Sequence, residues 1–165
     1  MINSISLIGM AGAGKSAVGM QLSKMLDFKL IDSDALIESQ YDKSLQKILD
    51  DEGYIKLREI ENLVLRNIHF NKTILSTGGS AVYSYEAMEH IQQHSTVIFL
   101  EVPFDQILER VPSFQDRGFA KAPSQSIEDA FRERQKLYKK YSHHTVSNTK
   151  DLDSCVSRVM ELFEA

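Results

Sequence analysis

The sequence has few of the residues that mark secreted, fibrous or disulfide-stabilised proteins. Its 165 residues include three prolines, one cysteine and no tryptophan. The single cysteine, Cys155, cannot form an internal disulfide, which excludes a disulfide scaffold. Because Cys155 lies in a C-terminal segment with the apolar periodicity of a helix, we expect a buried thiol with a structural role.

An excess of positive charge is also missing. The chain carries 23 acidic and 19 basic residues, a formal net charge of -4. It therefore has no overall basic field to attract nucleic acid or anionic lipid. No apolar run reaches membrane-spanning length, and the first residues lack the features of a signal peptide. We expect a cytoplasmic protein without nucleic-acid or membrane partners, and we take it to be a monomer.

Short apolar segments alternate with segments of helical periodicity along the chain. Strands are predicted at Ser4–Ile8, Lys29–Ile31, Thr73–Ser76, Thr96–Glu101 and Thr145–Ser147. Helices are predicted at Lys15–Leu26, Ala35–Tyr41, Leu45–Phe70 with a break near Gly53, Glu86–Gln93, after Pro103, Gln125–Tyr141 and Leu152–Phe163. This alternation predicts a single α/β domain over residues 1–165, a three-layer α/β/α sandwich around a five-stranded parallel sheet. Ligands of such a sheet bind at the carboxyl ends of the strands.

Residues 112–123 interrupt the alternation. The segment combines proline, glycine, serine, lysine and arginine and has no helical period. We expect it to be an exposed, mobile loop that acts as a lid. Arg117, beside Gly118, is a cation that such a lid would carry onto bound phosphates; the alternative is a solvated loop arginine.

The segment Gly9–Ser16, directly after the first strand, matches G-x-x-x-x-G-K-[ST]. A loop that wraps a triphosphate must turn its backbone N–H groups inward, and glycines permit the dihedral angles and the close approach. Lys15 would contact the β- and γ-phosphates, and the Ser16 hydroxyl is a hard oxygen ligand for Mg²⁺. The predicted ATP-binding residues are Gly9, Gly12, Ala13, Gly14, Lys15, Ser16 and Ala17. The alternative is a glycine-rich turn with an incidental lysine.

Charged residues also lie where an acceptor would bind. Asp32 and Asp34 follow the second strand, and their i, i+2 spacing places both carboxylates on one side of an extended segment. One would orient Mg²⁺ and the other an attacking hydroxyl; a turn with a helix N-cap is the alternative. Arg58 and Glu61 share a helix face, a pattern also typical of a surface ion pair.

Taken in order, these motifs resemble those of the shikimate kinase family over nearly the whole chain. The resemblance rests on the P-loop in Leu7–Gly19, the D-x-D pair in Phe28–Asp34, the E-G-x-x-x-F-R-x-x-E segment in Glu52–Glu61, the T-G-G-G loop in Ser76–Ser80, and the R-x-P-L-Y segment in Glu133–Tyr138. It implies a P-loop fold of the nucleoside-monophosphate-kinase type. It also implies transfer of the γ-phosphoryl group of ATP, with Mg²⁺, to a hydroxyl of shikimate, giving shikimate 3-phosphate.

The resemblance further implies roles for single residues. Ser16 and Asp32 would hold the metal, and Arg117 in the lid would reach the phosphates. The acceptor would bind within about residues 34–70 and to later segments. The implied acceptor-binding residues are Asp34, Arg58, Glu61, Gly78, Gly79 and Arg134, with Arg58 and Arg134 on the acceptor carboxylate and the two glycines against its ring. Lys15, Asp34 and Arg117 would be the catalytic residues.

Three departures from the family pattern lie on the acceptor side and in the lid. Ser80 replaces the third loop glycine, Lys136 replaces a proline, and the lid reads Gln115–Lys121 without the common R-P-L. Two other functions therefore stay open at this point. One is a related kinase for another small acid or polyol such as gluconate, and the other is a nucleotide-binding regulatory module without transfer activity.

Overall fold

Five parallel strands form one sheet at the centre of residues 3–164, the part of the chain that the structure, a computed structural model, describes. The strands are β1 (Ser4–Ile8), β2 (Lys29–Asp32), β3 (Thr73–Ser76), β4 (Thr96–Glu101) and β5 (His144–Ser147), in the order β2-β3-β1-β4-β5. The helices are α1 (Lys15–Leu26), α2 (Ser33–Tyr41), α3 (Leu45–Arg66), α4 (Tyr85–His94), α5 (Phe104–Arg110), α6 (Ile127–Tyr141) and α7 (Leu152–Glu164), with a 3-10 turn at Ala81–Tyr83. The predicted five-stranded parallel α/β fold is confirmed.

The sheet is buried on both faces, as the apolar strand sequences require. Every residue of β1 is buried, and so is the Val97–Leu100 segment of β4. Helix α1 packs against α7 and the first three strands, while α4 and α6 pack against β4. Cys155 lies in this core, as expected. The carboxyl ends of β1, β2 and β3 consequently open at one edge of the sheet.

Helices α2 and α3 pack on each other around a second, smaller core. Its buried residues are Ile37, Ile48, Leu57, Ile60, Val64 and Ala120. Ala120 belongs to the lid, residues 112–123, so the lid packs on this layer in the structure. Much of the segment around residues 34–70 therefore packs in a layer beside the main sheet, while Leu65 and Ile68 belong to the main core.

Several helix boundaries differ from the sequence prediction, including the start of α2 at Ser33 and not at Ala35. Helix α3 ends at Arg66 and not at Phe70, because the chain turns there to enter β3, with Lys72 at a φ of +47°. Helix α6 begins at Ile127, where the Ser126 hydroxyl accepts a hydrogen bond from the Asp129 N–H. The predicted break near Gly53, which has a φ of +86°, is confirmed, and the Ser44 hydroxyl caps the start of α3 by accepting a hydrogen bond from the Lys47 N–H.

The lid, predicted as an exposed loop, is exposed at Pro112, Ser113 and residues 115–117 but is not exposed at residues 118–120. The lid has no regular secondary structure, but Phe119 and Ala120 are buried. The Phe119 ring lies 3.9 Å from the Arg134 guanidinium carbon and packs edge-on against Phe114. The Gly118 N–H donates to Gln46 Oε1 at the start of α3. These contacts hold the middle of the lid over the acceptor-side helices.

Lys136 does not change how its helix begins. It lies in the interior of α6, nine residues after the first helical position, and is exposed. A lysine there keeps the backbone N–H that a proline would remove. Among residues 3–164, no helix is both long and apolar enough to cross a membrane.

Candidate active site

A cleft of about 620 Å³ opens at the carboxyl ends of β1, β2 and β3. This large cleft is lined by the P-loop, the D-x-D pair, the start of α3, the glycine loop after β3, Arg110 and the lid. A small pocket of about 50 Å³ adjoins it and shares Asp34, Gly78 and Arg117 with it. Two of the three candidate catalytic residues, Asp34 and Arg117, therefore line both cavities.

The P-loop has the backbone conformation that its glycines predict. Gly12 and Gly14 have φ values of +83° and +93°, in the left-handed region where residues with a Cβ are strained. The surrounding atoms also leave no room for a side chain at Gly14, since a Cβ there would lie 2.5 Å from Asn148 Nδ2. The loop continues directly into α1, whose first residues Lys15, Ser16 and Ala17 line the cleft, and a helix N-terminus is a favourable site for an anion.

Lys15 is folded back onto its own loop. Its Nζ donates to the carbonyl oxygens of Gly9 at 2.7 Å and Met10 at 2.8 Å. The side chain is largely buried yet still lines the large cleft. Burial lowers the pKa of Lys15 to about 8, and nearby Asp34 partly offsets that shift. The ammonium group is thus available to a phosphate that enters the cleft.

Ser16 and Asp32 meet at the mouth of the cleft. The Ser16 hydroxyl donates to Asp32 Oδ2 at 3.3 Å, while Asp32 Oδ1 accepts from the N–H groups of Asp34 and Ala35. Asp32 is therefore the N-cap of α2, the alternative that the sequence left open, and its other oxygen contacts the P-loop serine; its role toward Mg²⁺ stays a prediction. No cluster of three or more metal-binding side chains occurs within residues 3–164. A pair of hard oxygens fits Mg²⁺, which commonly keeps waters and phosphate oxygens as its other ligands.

Asp34 and Glu61 flank Gly78. A Cβ on Gly78 would lie 2.5 Å from both Asp34 Oδ1 and Glu61 Oε2, so only glycine leaves room for the two carboxyl groups. Burial raises the pKa of Asp34 to about 6, against the opposing effect of Lys15. Burial and the neighbouring Asp34 raise the pKa of Glu61 to about 7. Both groups therefore bind a proton more readily than exposed carboxyl groups, Glu61 more so than Asp34.

Arg58 and Arg134 converge on one oxygen atom. Their Nη2 atoms donate to the Ala120 carbonyl oxygen at 2.9 Å and 2.8 Å respectively. Arg134 is almost fully buried, and the Nε atoms of both arginines are buried without a hydrogen-bond partner. Within the described part of the chain, neither guanidinium lies within 4.0 Å of a carboxylate. The pair thus has unused capacity for an anion.

Aromatic rings hold the two guanidinium groups. Tyr83 lies beneath Arg58 at 3.7 Å and Arg134 at 5.5 Å, and its hydroxyl donates to Glu133 Oε1 at 2.6 Å. Phe119 covers the other side of Arg134. Tyr138 donates to the Gly79 carbonyl oxygen at 2.6 Å, which ties the glycine loop to α6. Stacked guanidinium groups keep a planar, fixed geometry suited to a carboxylate.

Most of the predicted site residues come together, and a few stand apart. Two of them, Glu61 and Arg134, line the small pocket. The large cleft is lined by ten others: Gly12, Gly14, Lys15, Ser16, Ala17, Asp32, Asp34, Gly78, Gly79 and Arg117. Gly9 and Ala13 line neither cavity, because both residues are buried within the structure of the loop. Arg58 also lines neither, because its guanidinium lies behind the Ala120 carbonyl group.

Three contributors are missing from the sequence interpretation. Arg110 lines the large cleft and donates to the carbonyl oxygens of Gly12 and Asn148. The buried Asn148 side chain donates to the Ala13 carbonyl oxygen at 2.7 Å and so braces the P-loop from the end of β5. Tyr83 is the third. Their sequence signals are weak, since they lie far from the motifs they support.

Comparisons with known proteins identify the family of the chain. The Shikimate kinase family model matches residues 11–164. Shikimate kinase 2 from Yersinia enterocolitica is 28% identical over 98% of this chain and 96% of its own. Shikimate kinase from Aquifex aeolicus is 32% identical over 82% of each chain.

Solved structures give the same result. A structure of shikimate kinase from Acinetobacter baumannii in complex with shikimate superposes with a TM-score of 0.88, at 26% identity, over 99% of this chain and 93% of its own. A gluconokinase from Sinorhizobium meliloti, at 15% identity over 98% of this chain and 95% of its own, has a TM-score of 0.53 and shares the fold alone. The chain therefore belongs to the shikimate kinase family and is a phosphotransferase with a hydroxyl acceptor.

Proposed function

We propose that this chain transfers the γ-phosphoryl group of ATP to a hydroxyl of shikimate, giving shikimate 3-phosphate. One observation carries the proposal most directly: the phosphate-binding cleft opens into a pocket lined by Asp34, Glu61 and Arg134, and Arg58 meets Arg134 at the Ala120 carbonyl oxygen on the border of that pocket. Such a pocket suits a small acid that also carries hydroxyl groups. The family of the chain supports the same acceptor.

The nucleotide would bind along the P-loop. Its phosphates would accept hydrogen bonds from the loop N–H groups and from Lys15, which would exchange its two carbonyl partners for phosphate oxygens. Ser16 and Asp32 would hold Mg²⁺, which supplies charge neutralisation at the phosphates when it is bound. Arg117 would add a second cation from the lid.

The acceptor carboxylate would bind between Arg58 and Arg134. The Ala120 carbonyl oxygen accepts from both arginines in the structure, so the carboxylate would displace it and make stronger, charge-assisted bonds. The small pocket must also enlarge, since about 50 Å³ is too little for a six-membered ring with its substituents. The lid, residues 112–123, would therefore move when the acceptor binds.

Asp34 would orient the attacking hydroxyl and accept its proton. It lies where the large cleft meets the small pocket, between the P-loop and the acceptor. A base with a pKa near 6 is mostly ionised at neutral pH yet binds a proton readily. Lys15 and Arg117 would stabilise the charge on the transferring group, which is the main catalytic effect in this chemistry.

A coupled assay of ADP release tests the proposal. The purified chain is offered ATP, Mg²⁺ and one acceptor at a time: shikimate, quinate, gluconate or a simple polyol. Turnover is expected to be highest with shikimate and to disappear in Lys15→Ala. Faster turnover with gluconate would favour the related kinase, and ATP binding without turnover of any acceptor would favour the regulatory module. The monomeric state and the cytoplasmic location stay predictions.

A further inference from the structure

Ser80 makes a buried contact that the glycine of the family pattern could not make. It follows Gly78 and Gly79 and directly precedes the 3-10 turn. Its hydroxyl donates to Glu61 Oε1 at 2.8 Å, and the two side chains are only 7% and 4% exposed. The contact joins the loop after β3 to the middle of α3, two elements that both border the small pocket.

The Glu61 carboxyl group has both acidic and basic neighbours. Asp34 faces it across Gly78, and Arg134 and Arg58 lie on the other side as potential ion-pair partners. Within residues 3–164, neither arginine is within 4.0 Å of the Glu61 oxygens. The Ser80 hydroxyl is the hydrogen-bond partner that the carboxyl group has instead.

We infer that Ser80 is a positioning residue of the acceptor site: it holds the Glu61 carboxyl group toward the glycine loop and away from Arg58 and Arg134. The inference rests on the proposed function. With Oε1 held by Ser80, the arginines stay free for the carboxylate of the acceptor, and Oε2, which lies beside Gly78 in the lining of the small pocket, is a partner for an acceptor hydroxyl. Without that hold, Glu61 would compete with the acceptor for the same guanidinium groups, because arginine–carboxylate pairs are strong.

Substitutions at position 80 distinguish the effect of losing the hydroxyl group from the effect of losing side-chain volume. Ser80→Ala removes only the hydroxyl, and Ser80→Gly also removes the Cβ. Ser80→Thr keeps the hydroxyl and is the conservative rescue. Ser84→Ala is the matched control, since Ser84 is a similarly buried serine at the other end of the same turn, without a side-chain hydrogen bond to the N-terminus of α4.

The measurements are kcat and the KM values of shikimate and ATP, with the melting temperature of each variant. Ser80→Ala and Ser80→Gly are expected to raise the KM of shikimate about tenfold, the size expected for one charge-assisted hydrogen bond. The KM of ATP and the melting temperature should stay near the parental values. Ser80→Thr should recover most of the loss, and Ser84→Ala should behave like the parent.

A double-mutant cycle identifies Glu61 as the residue through which Ser80 acts. Glu61→Gln removes the charge that would compete for the arginines, so adding Ser80→Ala to it should raise the KM of shikimate much less than in the parent. Additive effects would overturn the inference. Equal rises in both KM values would also overturn it, since a merely structural role would produce them.

The parental turnover of shikimate is measured first. Its absence would overturn the proposed function together with this inference. Parental turnover combined with an unchanged KM of shikimate in Ser80→Ala would overturn the inference alone.

Discussion

At the scale of single residues, the site gathers ionisable groups from which water is largely excluded. Burial shifts the pKa values of Lys15, Asp34 and Glu61 toward neutrality, to about 8, 6 and 7 respectively. For each group, a neighbour of opposite charge partly offsets the pKa shift that burial causes. Such mutually perturbed groups are typical of catalytic sites.

Asp34→Asn tests the role of the proposed base. The substitution keeps the size of the side chain and removes its ability to accept a proton, so kcat should fall by about a hundredfold or more. Steady-state kinetics with shikimate measure this. Asp42→Asn is the matched control, because Asp42 is an exposed acid at the far end of α2 in a left-handed conformation that asparagine tolerates. Near-parental kcat in Asp34→Asn would show that another group takes the proton.

Arg58→Ala tests the carboxylate contact. The KM of shikimate should rise far more than that of ATP, since Arg58 lies beyond the large cleft and contacts Tyr83 and the Ala120 carbonyl. Arg66→Ala, which removes an exposed cation from the same helix, is the control. Equal changes in both KM values would contradict the assignment.

Glu61 should make stability depend on pH. Its pKa is raised in the folded chain, so the folded state binds this proton more tightly than the unfolded state. The resulting stabilisation is complete below pH 4.5, the ordinary pKa of a glutamate, and is lost as the pH rises through about 7. Glu61→Gln should therefore flatten the decline in unfolding free energy between these values, by about 1–3 kcal/mol.

Urea unfolding at pH 5 and pH 8 measures this difference. Glu59→Gln, at an exposed position two residues away, should follow the parental pH dependence. If Glu61→Gln also ran parallel to the parent, Glu61 would not be the group responsible.

At the scale of elements, the arrangement of the site depends on the position of the lid. Its backbone carbonyl at Ala120 satisfies the two arginines, and Gly118 packs directly on the start of α3. Gly118 has a φ of +62°, and a Cβ there would lie 2.8 Å from the Leu45 carbonyl carbon. The lid docks here only because this residue is glycine.

Gly118→Ala should therefore release the lid. Trypsin cleavage after Arg117 and Lys121 should be faster than in the parent, while the melting temperature changes little, because the lid contributes few residues to either core. Gly53→Ala is a matched control, since Gly53 also has a positive φ but a Cβ there meets nothing within 4 Å. An unchanged rate of lid cleavage in Gly118→Ala would mean that the lid is held by other contacts, above all Phe119.

At the scale of the whole molecule, nucleotide binding should stabilise the fold. Asn148 and Arg110 tie the P-loop to the end of β5 and to α5, so a ligand on the loop bridges distant parts of the chain. At a concentration of MgATP one hundred times its Kd, the unfolding free energy should increase by about 2.7 kcal/mol. Thermal unfolding with ATP and Mg²⁺ measures this, and the shift should shrink with EDTA or in Lys15→Ala. An unchanged melting temperature at saturating MgATP would remove the basis of the proposed function.

The fold and the nucleotide site were predictable because their signals are local. Alternating apolar and helical segments require a covered parallel sheet, and the Gly9–Ser16 motif carries its own backbone requirements. The boundaries that failed at the end of α3 and the start of α6 depend on where the chain turns to meet other elements. Local propensity is a poor guide to such positions.

The sequence by itself determined the parallel sheet, the phosphate-binding loop and the types of residue on the acceptor side, because each follows from periodicity or from a short motif. Only the tertiary structure decided which of those residues meet. It placed the Ala120 carbonyl between Arg58 and Arg134, and Ser80 against Glu61. Ala120 and Arg58 are 62 residues apart. No periodicity reports a contact at that separation, since it depends on how whole elements pack.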